Sequence, residues 1–400
     1  MNLGKSKLWT KEYIIITLVN FLVAINFYLL IVIISKYAID KFNAPRSQAG
    51  LAVSIFIIGA LVTRLFVGKW LIRFGYKRIL LIGIIASIFT SLAYFWISGI
   101  LFLHIVRLLH GATLGIISTA ASTIVADIIP KERRGEGIGF YSLSQTLALS
   151  IGPFFAMFLS KHGSYDLIFL VCVIAPAASL IIAAFLSLRK IELTEEQINS
   201  MQGFKINHFV EYRAVPISTI CLLIYLCYSS IVSFLPVYAE AINLVDTASF
   251  FFIVYAIVVL ISRPLAGMMF DSKGENSVMY PAILIFAIGM FMFSQSYHGY
   301  ILLAAAALIG LGFGAVQSSA QTIAVKVTPQ HRLGMANSTF FIFSDLGMCI
   351  GPLLVGFMIP FLNYRGMYMV MSIVALVCLL LYYLLNAKTT SCVSAASDKL

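Results

Sequence analysis

Residues 63–75 read TRLFVGKWLIRFG and residues 262–274 read SRPLAGMMFDSKG, so the second stretch follows the first at an offset of 199 positions. Both carry an arginine, a glycine four residues later and a closing glycine, but only the second contains an acid. A true internal repeat keeps one register over many landmarks, and the offset of 199 does so here. It also relates Gly115 to Gly314, Pro130 to Pro329, Arg133 to Arg332, and Gly152-Pro153 to Gly351-Pro352. The chain is therefore predicted to consist of two copies of one unit.

The composition places both copies in a lipid bilayer. Of the 400 residues, 61% are hydrophobic and 11% are charged, and the mean hydropathy is +0.99. A single water-soluble core cannot bury that much apolar surface. Runs of about 20 apolar residues are long enough to cross a ~30 Å hydrocarbon layer. The sequence contains such runs at 13–34, 47–67, 79–98, 100–126, 137–160, 165–188, 215–236, 248–270, 278–296, 299–325, 335–359 and 365–386.

These runs predict an all-α membrane protein with twelve transmembrane helices in two six-helix halves. The predicted domains are an N-terminal half at 1–188, a cytoplasmic linker at 189–214, a C-terminal half at 215–386 and a cytoplasmic tail at 387–400. Lysine and arginine concentrate on the loops that share a side with both termini, which predicts a cytoplasmic location for those termini. The net charge of +11 then reflects membrane topology, and no nucleic-acid partner is predicted.

The loop between the second and third predicted helices carries a recognisable pattern. Gly68, Arg73, Gly75 and Lys77 fit G-x-x-x-D-R-x-G-x-K, with Ile72 at the acidic position. The second copy keeps Gly267, Asp271 and Gly274, with Ser272 in place of the arginine. On these residues, from about position 13 to 385, the chain resembles the major facilitator superfamily.

The resemblance implies a fold, a mechanism and a set of gating residues. Two similarly oriented halves rock around a central site and expose it to alternate sides of the membrane. The loop pattern implies a cytoplasmic latch, and Ile72 implies that its first copy lacks the charged component. The gating candidates are Gly68, Arg73, Gly75, Asp271, Gly274, Gly152, Pro153, Gly351 and Pro352.

The fifth helix contains GFYSLSQTLALSIGPFFAM, which resembles the antiporter signature of the drug-exporting branch. Gly139, Gly152 and Pro153 fit that signature, whereas Ala148, Ala156 and Met157 depart from it. The eleventh helix repeats the pattern in part. Small residues allow close helix contact and proline removes a backbone hydrogen bond, so a gating bend and ordinary helix packing are both open interpretations. The match favours export over uptake.

The fourth helix contains RLLHGATLG, whose Arg107 and Gly111 match the R-x-x-x-G pattern of the resembled family. Arg107 lies about 10 Å inside the predicted outer end, where an unpaired guanidinium is costly. It is predicted to face the cavity or a partner, the alternative being a side chain that snorkels to the interface. His110, three residues later, is a candidate proton relay or a hydrogen-bonded structural histidine.

The acidic residues narrow the search for a proton carrier. Among sixteen Asp and Glu residues, only Asp345 falls deep within a predicted helix, about 15 Å from its cytoplasmic end. Burial there destabilises the ionised carboxylate, whereas a cationic substrate or an arginine stabilises it. Asp345 is thus predicted to carry the proton or to serve as substrate counter-ion, and a structural ion pair is the alternative.

Two further groups of polar residues are candidates for the transport pathway. Arg64 and Arg263 occur in register near the cytoplasmic ends of the second and eighth helices, where a membrane anchor and a latch both fit. The second group consists of predicted substrate-cavity residues, for which hydrogen bonding between helices is an equally good explanation. They are Asn20, Asn26, Gln145, Tyr225, Tyr228, Gln317 and Gln321.

The sequence as a whole predicts a proton-coupled secondary transporter that exports small amphipathic molecules, either drugs or a secreted metabolite such as a metallophore. A proton-linked importer of a nutrient is the alternative, followed by a membrane receptor or enzyme without transport. The chain is not predicted to be an enzyme, and neither a cofactor nor a metal is expected. Its predicted partners are a small-molecule substrate, protons and the lipid bilayer, and it is predicted to act as a monomer in the bacterial cell membrane.

Overall fold

The computed structural model of the chain describes residues 7–162, 165–188 and 210–397, and the regular structure within these ranges is helical. The predicted linker at 189–214 lies mostly outside the described residues. The helices are α1 (Lys11–Phe42), α2 (Arg46–Phe74), α3 (Tyr76–Leu92), α4 (Ile100–Ile128), α5 (Arg134–His162), α6 (Tyr165–Ala184), α7 (Val215–Ala241), α8 (Phe251–Lys273), α9 (Asn276–Ser294), α10 (Gly299–Lys326) and α11 (Leu333–Ser397).

Eleven stretches of the described chain are long and apolar enough to cross a membrane. They cover every predicted transmembrane helix except the fifth. The corresponding helix α5 contains 29 residues, or about 44 Å at 1.5 Å per residue, so it is also long enough to cross.

Helix α11 contains the last two predicted spans in one stretch. Asn363 interrupts it with non-helical backbone angles, φ 51° and ψ 179°, between the predicted spans at 335–359 and 365–386. Asparagine tolerates positive φ better than most residues with a side chain. The helix also runs to Ser397, beyond the predicted end of the last span at residue 386.

The chain divides into two compact units whose limits differ from a simple cut at the linker. The first unit comprises Met1–Glu211 together with Val325–Ile342, and the second comprises Tyr212–Ala324 and Phe343–Leu400. The first turns of α11 therefore pack with the N-terminal repeat, although they belong by sequence to the C-terminal one. Leu333 and Val325 accordingly share one buried cluster with Leu71 of α2.

Within each repeat the second and fourth helices approach each other backbone to backbone. In the first unit, a Cβ atom added at Gly111 of α4 would overlap the carbonyl oxygen of Phe56 in α2. In the second unit, a Cβ atom at Gly310 of α10 would lie 2.9 Å from the carbonyl oxygen of Tyr255 in α8. Both pairs keep the offset of 199 positions, so the predicted duplication extends to the packing of the helices.

The loop glycines of the repeated stretch also share a backbone conformation. Gly75 and Gly274 both adopt φ 86°, a region that residues with a Cβ atom rarely occupy. Each ends one helix and lets the next begin within two residues. This sharp turn explains why the repeated stretch closes on glycine in both copies.

Replacing Gly111 by alanine tests the contact between α2 and α4. The added methyl group must displace the backbone of α2, and overpacking of this kind costs about 1–3 kcal/mol. Thermal unfolding of the purified protein in detergent is expected to occur at a clearly lower temperature for Gly111→Ala. Gly50→Ala is the matched control, because a Cβ atom at Gly50 of α2 meets nothing within 4 Å. Equal melting temperatures for the two variants would contradict the backbone contact.

Candidate transport site

Arg107 of α4 is completely buried within the first unit. Its Nε donates a 2.8 Å hydrogen bond to the carbonyl oxygen of Ala52, and its guanidinium carbon lies 4.4 Å from the ring centroid of Phe56. Cation–π contacts of desolvated arginine are worth about 2 kcal/mol. Among the described residues no carboxylate pairs with Arg107, and its Nη2 has no hydrogen-bond partner. The side chain does not snorkel to the surface but keeps its charge inside the helix bundle.

Tyr94 connects Arg107 to His110. Its hydroxyl oxygen lies 3.4 Å from Nη1 of Arg107 and 3.1 Å from Nδ1 of His110. His110 is itself buried and packs edge-on against Phe56. Tyr94 lies in a short 3₁₀ turn, Ala93–Trp96, directly after α3. The sequence analysis selected Arg107 and His110 but not this tyrosine, since nothing in its local sequence distinguishes it from other aromatic residues at helix ends.

A small cavity adjoins His110 in the same unit, with a volume of about 10 Å³. Four helices, α1 to α4, contribute to its walls. Its polar lining residues are Asn26, Ser87, His110 and Thr113, and its apolar ones include Val23, Phe56 and Ile117.

The two arginines of the repeated stretch are buried within their own units. In the first unit Arg64 of α2 donates from Nη2 to the hydroxyl of Ser118 in α4, at 3.2 Å. In the second unit Arg263 of α8 donates to the side-chain oxygen of Gln317 in α10. Ser118 and Gln317 are themselves 199 positions apart. Both arginines thus tie the second helix of a repeat to the fourth, whereas a membrane anchor would extend to the surface.

The second unit contains a cluster of packed aromatic rings. Tyr228 stacks on Phe313 with ring centroids 4.0 Å apart, and Tyr225 packs edge-on against the same ring at 5.0 Å. Tyr228 also stacks on Tyr255 at 5.6 Å. The predicted cavity residues Tyr225, Tyr228 and Gln317 are therefore joined by Phe313 and Tyr255, which the sequence analysis did not select. Their offset partners are Leu114 and Phe56.

Asp345 lies in α11, twelve residues after Leu333 and thus about 18 Å along the helix. Its side chain is half-buried, as are those of Gln145 in α5 and Gln317 in α10, whereas Gln321 is buried. The assignment of these residues to a substrate pathway stays a prediction.

The two asparagines of α1 hold inter-helix hydrogen bonds. Asn20 donates to the hydroxyl of Ser144 in α5 at 2.7 Å. Asn26 donates to the carbonyl oxygen of Cys172 in α6 at 3.0 Å and also lies 3.4 Å from the hydroxyl of Ser91. Both asparagines are buried. These bonds fit the structural alternative, and a role in substrate binding stays a prediction.

The end of α2 packs against the start of α11 inside the first unit, and we name this the α2–α11 contact. A Cβ atom at Gly68 would lie 3.1 Å from the Cα atom of Met335, and one at Gly334 would lie 3.1 Å from Leu71 Cδ1. Further along, the guanidinium carbon of Arg64 lies 4.5 Å from the ring centroid of Phe341. Glycine on both sides therefore allows the helices to touch closely.

Three polar interactions flank the α2–α11 contact. Gln330 donates to Asp127 Oδ1 at 2.9 Å. Arg332 forms an ion pair with Glu211, whose side chain is only 1% exposed. The backbone N–H of Glu211 donates to the hydroxyl of Thr339 at 2.9 Å. Glu211, at the end of the predicted linker, is thus fixed to the first turns of α11.

The sequence analysis missed this ion pair, although the repeat contains a signal for it. In the first copy Arg133 pairs with Glu136 three residues later, with a 2.7 Å distance between Nη2 and Oε1. At the offset of 199 positions, Arg332 corresponds to Arg133, but Met335 replaces Glu136. Arg332 therefore has no acid three residues later, and Met335, at that position, contacts Gly68.

The other gating candidates occupy helix ends and close helix contacts. Arg73 is exposed and Asp271 is half-buried, each in the last turn of its helix. Lys77 donates to the carbonyl oxygens of Ala184 and Leu186 and so caps the end of α6. A Cβ atom at Gly152 would lie 2.7 Å from Tyr28 in α1, and one at Gly351 would overlap Ser229 in α7. Pro153 and Pro352 lie inside α5 and α11.

Comparison with known proteins decides the family. The family model described as the Major Facilitator Superfamily matches residues 16–293 and 243–399. The chain belongs to the major facilitator superfamily. The predicted resemblance and the all-α membrane fold are thereby confirmed.

Individual members of the superfamily align over most of the chain. An uncharacterised transporter of Methanocaldococcus jannaschii is 25% identical over 388 residues, which cover 94% of this chain and 98% of the relative. The staphylopine export protein of Staphylococcus aureus is 21% identical over 351 residues, covering 86% and 88%. Multidrug resistance proteins of Bacillus subtilis match shorter stretches. These relatives support a transporter of the drug-exporter type.

The fold agrees with a solved structure of the superfamily. The crystal structure of the human organic anion transporter MFSD10 matches with a TM-score of 0.76 and 13% identity, over 93% of this chain and 98% of that chain. The proteins compared here are transporters, which confirms that this superfamily member is a transporter and not an enzyme.

Breaking the ion pair between Arg332 and Glu211 is expected to destabilise the protein. Glu211→Gln leaves a largely buried guanidinium without its counter-charge, at a cost of about 3 kcal/mol. Thermal unfolding in detergent should show this loss, and the exchanged pair Glu211→Arg with Arg332→Glu should recover part of it. Arg133→Gln is the matched control, since its pair with Glu136 is similarly shielded but joins residues only three positions apart, and such local pairs contribute about 0.2–0.5 kcal/mol. A loss no larger than that of the control would contradict the structural importance of the pair.

Proposed function

We propose that the protein is a proton-coupled exporter of small amphipathic molecules, either drugs or a secreted metabolite such as a metallophore, in a bacterial cell membrane. The direction is supported by the relatives named for staphylopine export and multidrug resistance. It functions as a monomer with both termini in the cytoplasm. Protons are the coupling ion, and no cofactor takes part.

The observation that carries the proton-coupling proposal is the isolation of Asp345 among the acidic residues. The other acids of the sequence fall at the ends of predicted helices, in loops or in the linker and tail. Asp345 lies about 18 Å along α11 and is half-buried, so protonation removes a costly charge from a poorly solvated position. A bound cationic group would compete with the proton for the same carboxylate, and this competition is what antiport requires.

Arg107 and His110 form the second element of the coupling proposal. Arg107 keeps a permanent charge inside the first unit without a carboxylate partner in the described chain. His110, joined to it through Tyr94, is the neighbouring group able to change its charge. In this proposal, protonation of His110 places two positive charges in one poorly solvated cluster, and their repulsion links proton binding to a movement of α4.

Each unit contains its own proposed candidates for substrate contact. In the second unit, Tyr225, Tyr228 and Phe313 offer flat apolar surfaces, and Gln317 and Gln321 offer hydrogen-bonding groups four and eight residues after Phe313. Asn20, Asn26 and Gln145 are the corresponding candidates in the first unit. Aromatic faces with a few polar groups suit amphipathic molecules of varied shape.

The α2–α11 contact is proposed to be the cytoplasmic gate. Gly68 and Gly334 allow it to pack closely, and Asp127 and Glu211 supply acids that Ile72 does not. Gly75, Arg73, Asp271 and Gly274 shape the flanking loops. Gly152, Pro153, Gly351 and Pro352 are proposed to permit the bending of α5 and α11 as the gate opens.

Asp345→Asn tests the proton carrier. Cells with and without the protein are first compared for retained metabolites and added drugs, which identifies a substrate by its depletion. Uptake of that substrate into energised inside-out vesicles is then measured. Asp345→Asn is expected to reduce proton-driven uptake at least tenfold while the protein folds normally, because the amide cannot exchange a proton. Asp166→Asn, at an exposed acid in the first turn of α6, is the control.

The possible outcomes separate the proposals. Full activity of Asp345→Asn would reject the carrier role. Accumulation of the substrate by intact energised cells would reject export in favour of import. Absence of movement of any solute in vesicles that hold the pure protein would reject transport itself.

A further inference from the structure

The hydrogen bonds around Tyr94 determine which ring nitrogen of neutral His110 carries the proton. Arginine can only donate, so Nη1 of Arg107 uses the Tyr94 oxygen as an acceptor at 3.4 Å. The Tyr94 O–H is then left to donate to His110 Nδ1, at 3.1 Å. In the neutral imidazole, Nδ1 is therefore the acceptor and Nε2 carries the hydrogen.

The hydrogen on His110 Nε2 consequently has no acceptor among the described residues. Within the described residues, the hydrogen bonding of the His110 ring is confined to Tyr94 at Nδ1. The residue as a whole is only 3% exposed. A buried donor without a partner costs about 1–3 kcal/mol.

Asn26 supplies a buried acceptor that also lacks a partner. Its Nδ2 is directed to the carbonyl oxygen of Cys172 and to the Ser91 hydroxyl, which fixes the orientation of the amide. Its Oδ1 is buried and accepts no hydrogen bond from the described chain. Asn26 as a whole is 2% exposed.

The orphan donor and the orphan acceptor belong to side chains that line the same cavity. That cavity has a volume of about 10 Å³, close to the space that one water molecule requires. Ser87 and Thr113 add hydroxyl groups to its wall. A metal cation would need acceptors only, and an anion would need donors only. A site with one N–H donor and one carbonyl acceptor matches water, which both accepts and donates.

We propose that this cavity is a binding site for a single water molecule that accepts a hydrogen bond from His110 Nε2 and donates one to Asn26 Oδ1. The water completes a chain from Arg107 through Tyr94 and His110 to Asn26. Asn26 is then a positioning residue, which holds the imidazole with Nδ1 towards Tyr94. The importance of this positioning for coupling rests on the proposed function, whereas occupancy of the site does not.

Both protonation states of His110 can use the same water, because Nε2–H is present in the neutral and in the protonated imidazole. Only the bond between Tyr94 and Nδ1 must reverse on protonation, since Nδ1 then becomes a donor. The charged or titratable side chains that face this cluster in the described structure are Arg107 on the same helix, Tyr94 after α3 and Cys172 of α6.

The full-length protein in lipid nanodiscs, labelled with ¹⁵N-histidine, provides the test. The sequence contains six histidines, and the signal absent from His110→Gln assigns His110. Nitrogen chemical shifts identify the tautomer, and magnetisation transfer from water reports contact with a bound water. The wild-type protein is expected to show the Nε2–H tautomer with strong transfer, and Asn26→Leu is expected to reduce that transfer at least threefold.

Asn20→Leu is the matched control, because Asn20 lies on the same helix, is equally buried and also holds one inter-helix hydrogen bond. Its transfer to His110 should equal that of the wild type. An Nδ1–H tautomer, or undiminished transfer in Asn26→Leu, would overturn the proposal. A shift of the His110 signal when sodium chloride replaces choline chloride would assign the cavity to a cation instead. If Asn26→Leu does not fold, Asn26→Ser and the wild-type tautomer still decide the question.

Transport measurements distinguish this proposal from the proposed function. If the wild-type protein moves no substrate but shows the tautomer and the water transfer, the proposed function fails and the site stands. If transport is proton-driven but His110 has no water contact, the site fails and the proposed function stands.

Discussion

Close contact between the second and fourth helices of each repeat is the constraint on which the polar interior depends. Glycine at corresponding positions of α4 and α10 removes the side chain that would hold these helices apart from α2 and α8. Only at that separation can Arg64 reach Ser118 and Arg263 reach Gln317. An arginine without such partners is expensive in an apolar environment, so the placement of the charges depends on the close packing of the backbone within each unit.

The two repeats share these helix contacts but differ in the side chains at other corresponding positions. Arg107 and His110 in the first repeat correspond to Ala306 and Ile309 in the second, so only one copy contains the charged cluster with Tyr94. Conversely, the second copy replaces Glu136 by Met335, which releases Arg332 to pair with Glu211 and gives Gly68 an apolar neighbour. The duplication thus supplies a common scaffold, and individual substitutions make one copy polar where the other is apolar.

Much of the fold could be predicted from the sequence because hydrophobic length and the fixed offset are strong signals. The register of Gly115 and Gly314 correctly indicated that the copies match residue by residue. The sequence could not predict whether Asn20 and Asn26 face a cavity or a neighbouring helix. A membrane helix is apolar on all sides, so its hydrophobic pattern does not distinguish the two faces. The partner of Arg332 could not be predicted either, because Glu211 is distant in sequence and lies in the predicted linker.

The guanidinium of Arg107 has a consequence for energetics beyond binding. It lies about 10 Å from the start of α4, and no carboxylate in the described chain neutralises it. A charge that moves through a membrane potential exchanges about 2.3 kcal/mol with the field per 100 mV when it crosses completely. Any displacement of α4 along the membrane normal would therefore carry electrical work in proportion to the distance travelled, even with neither solute nor proton bound.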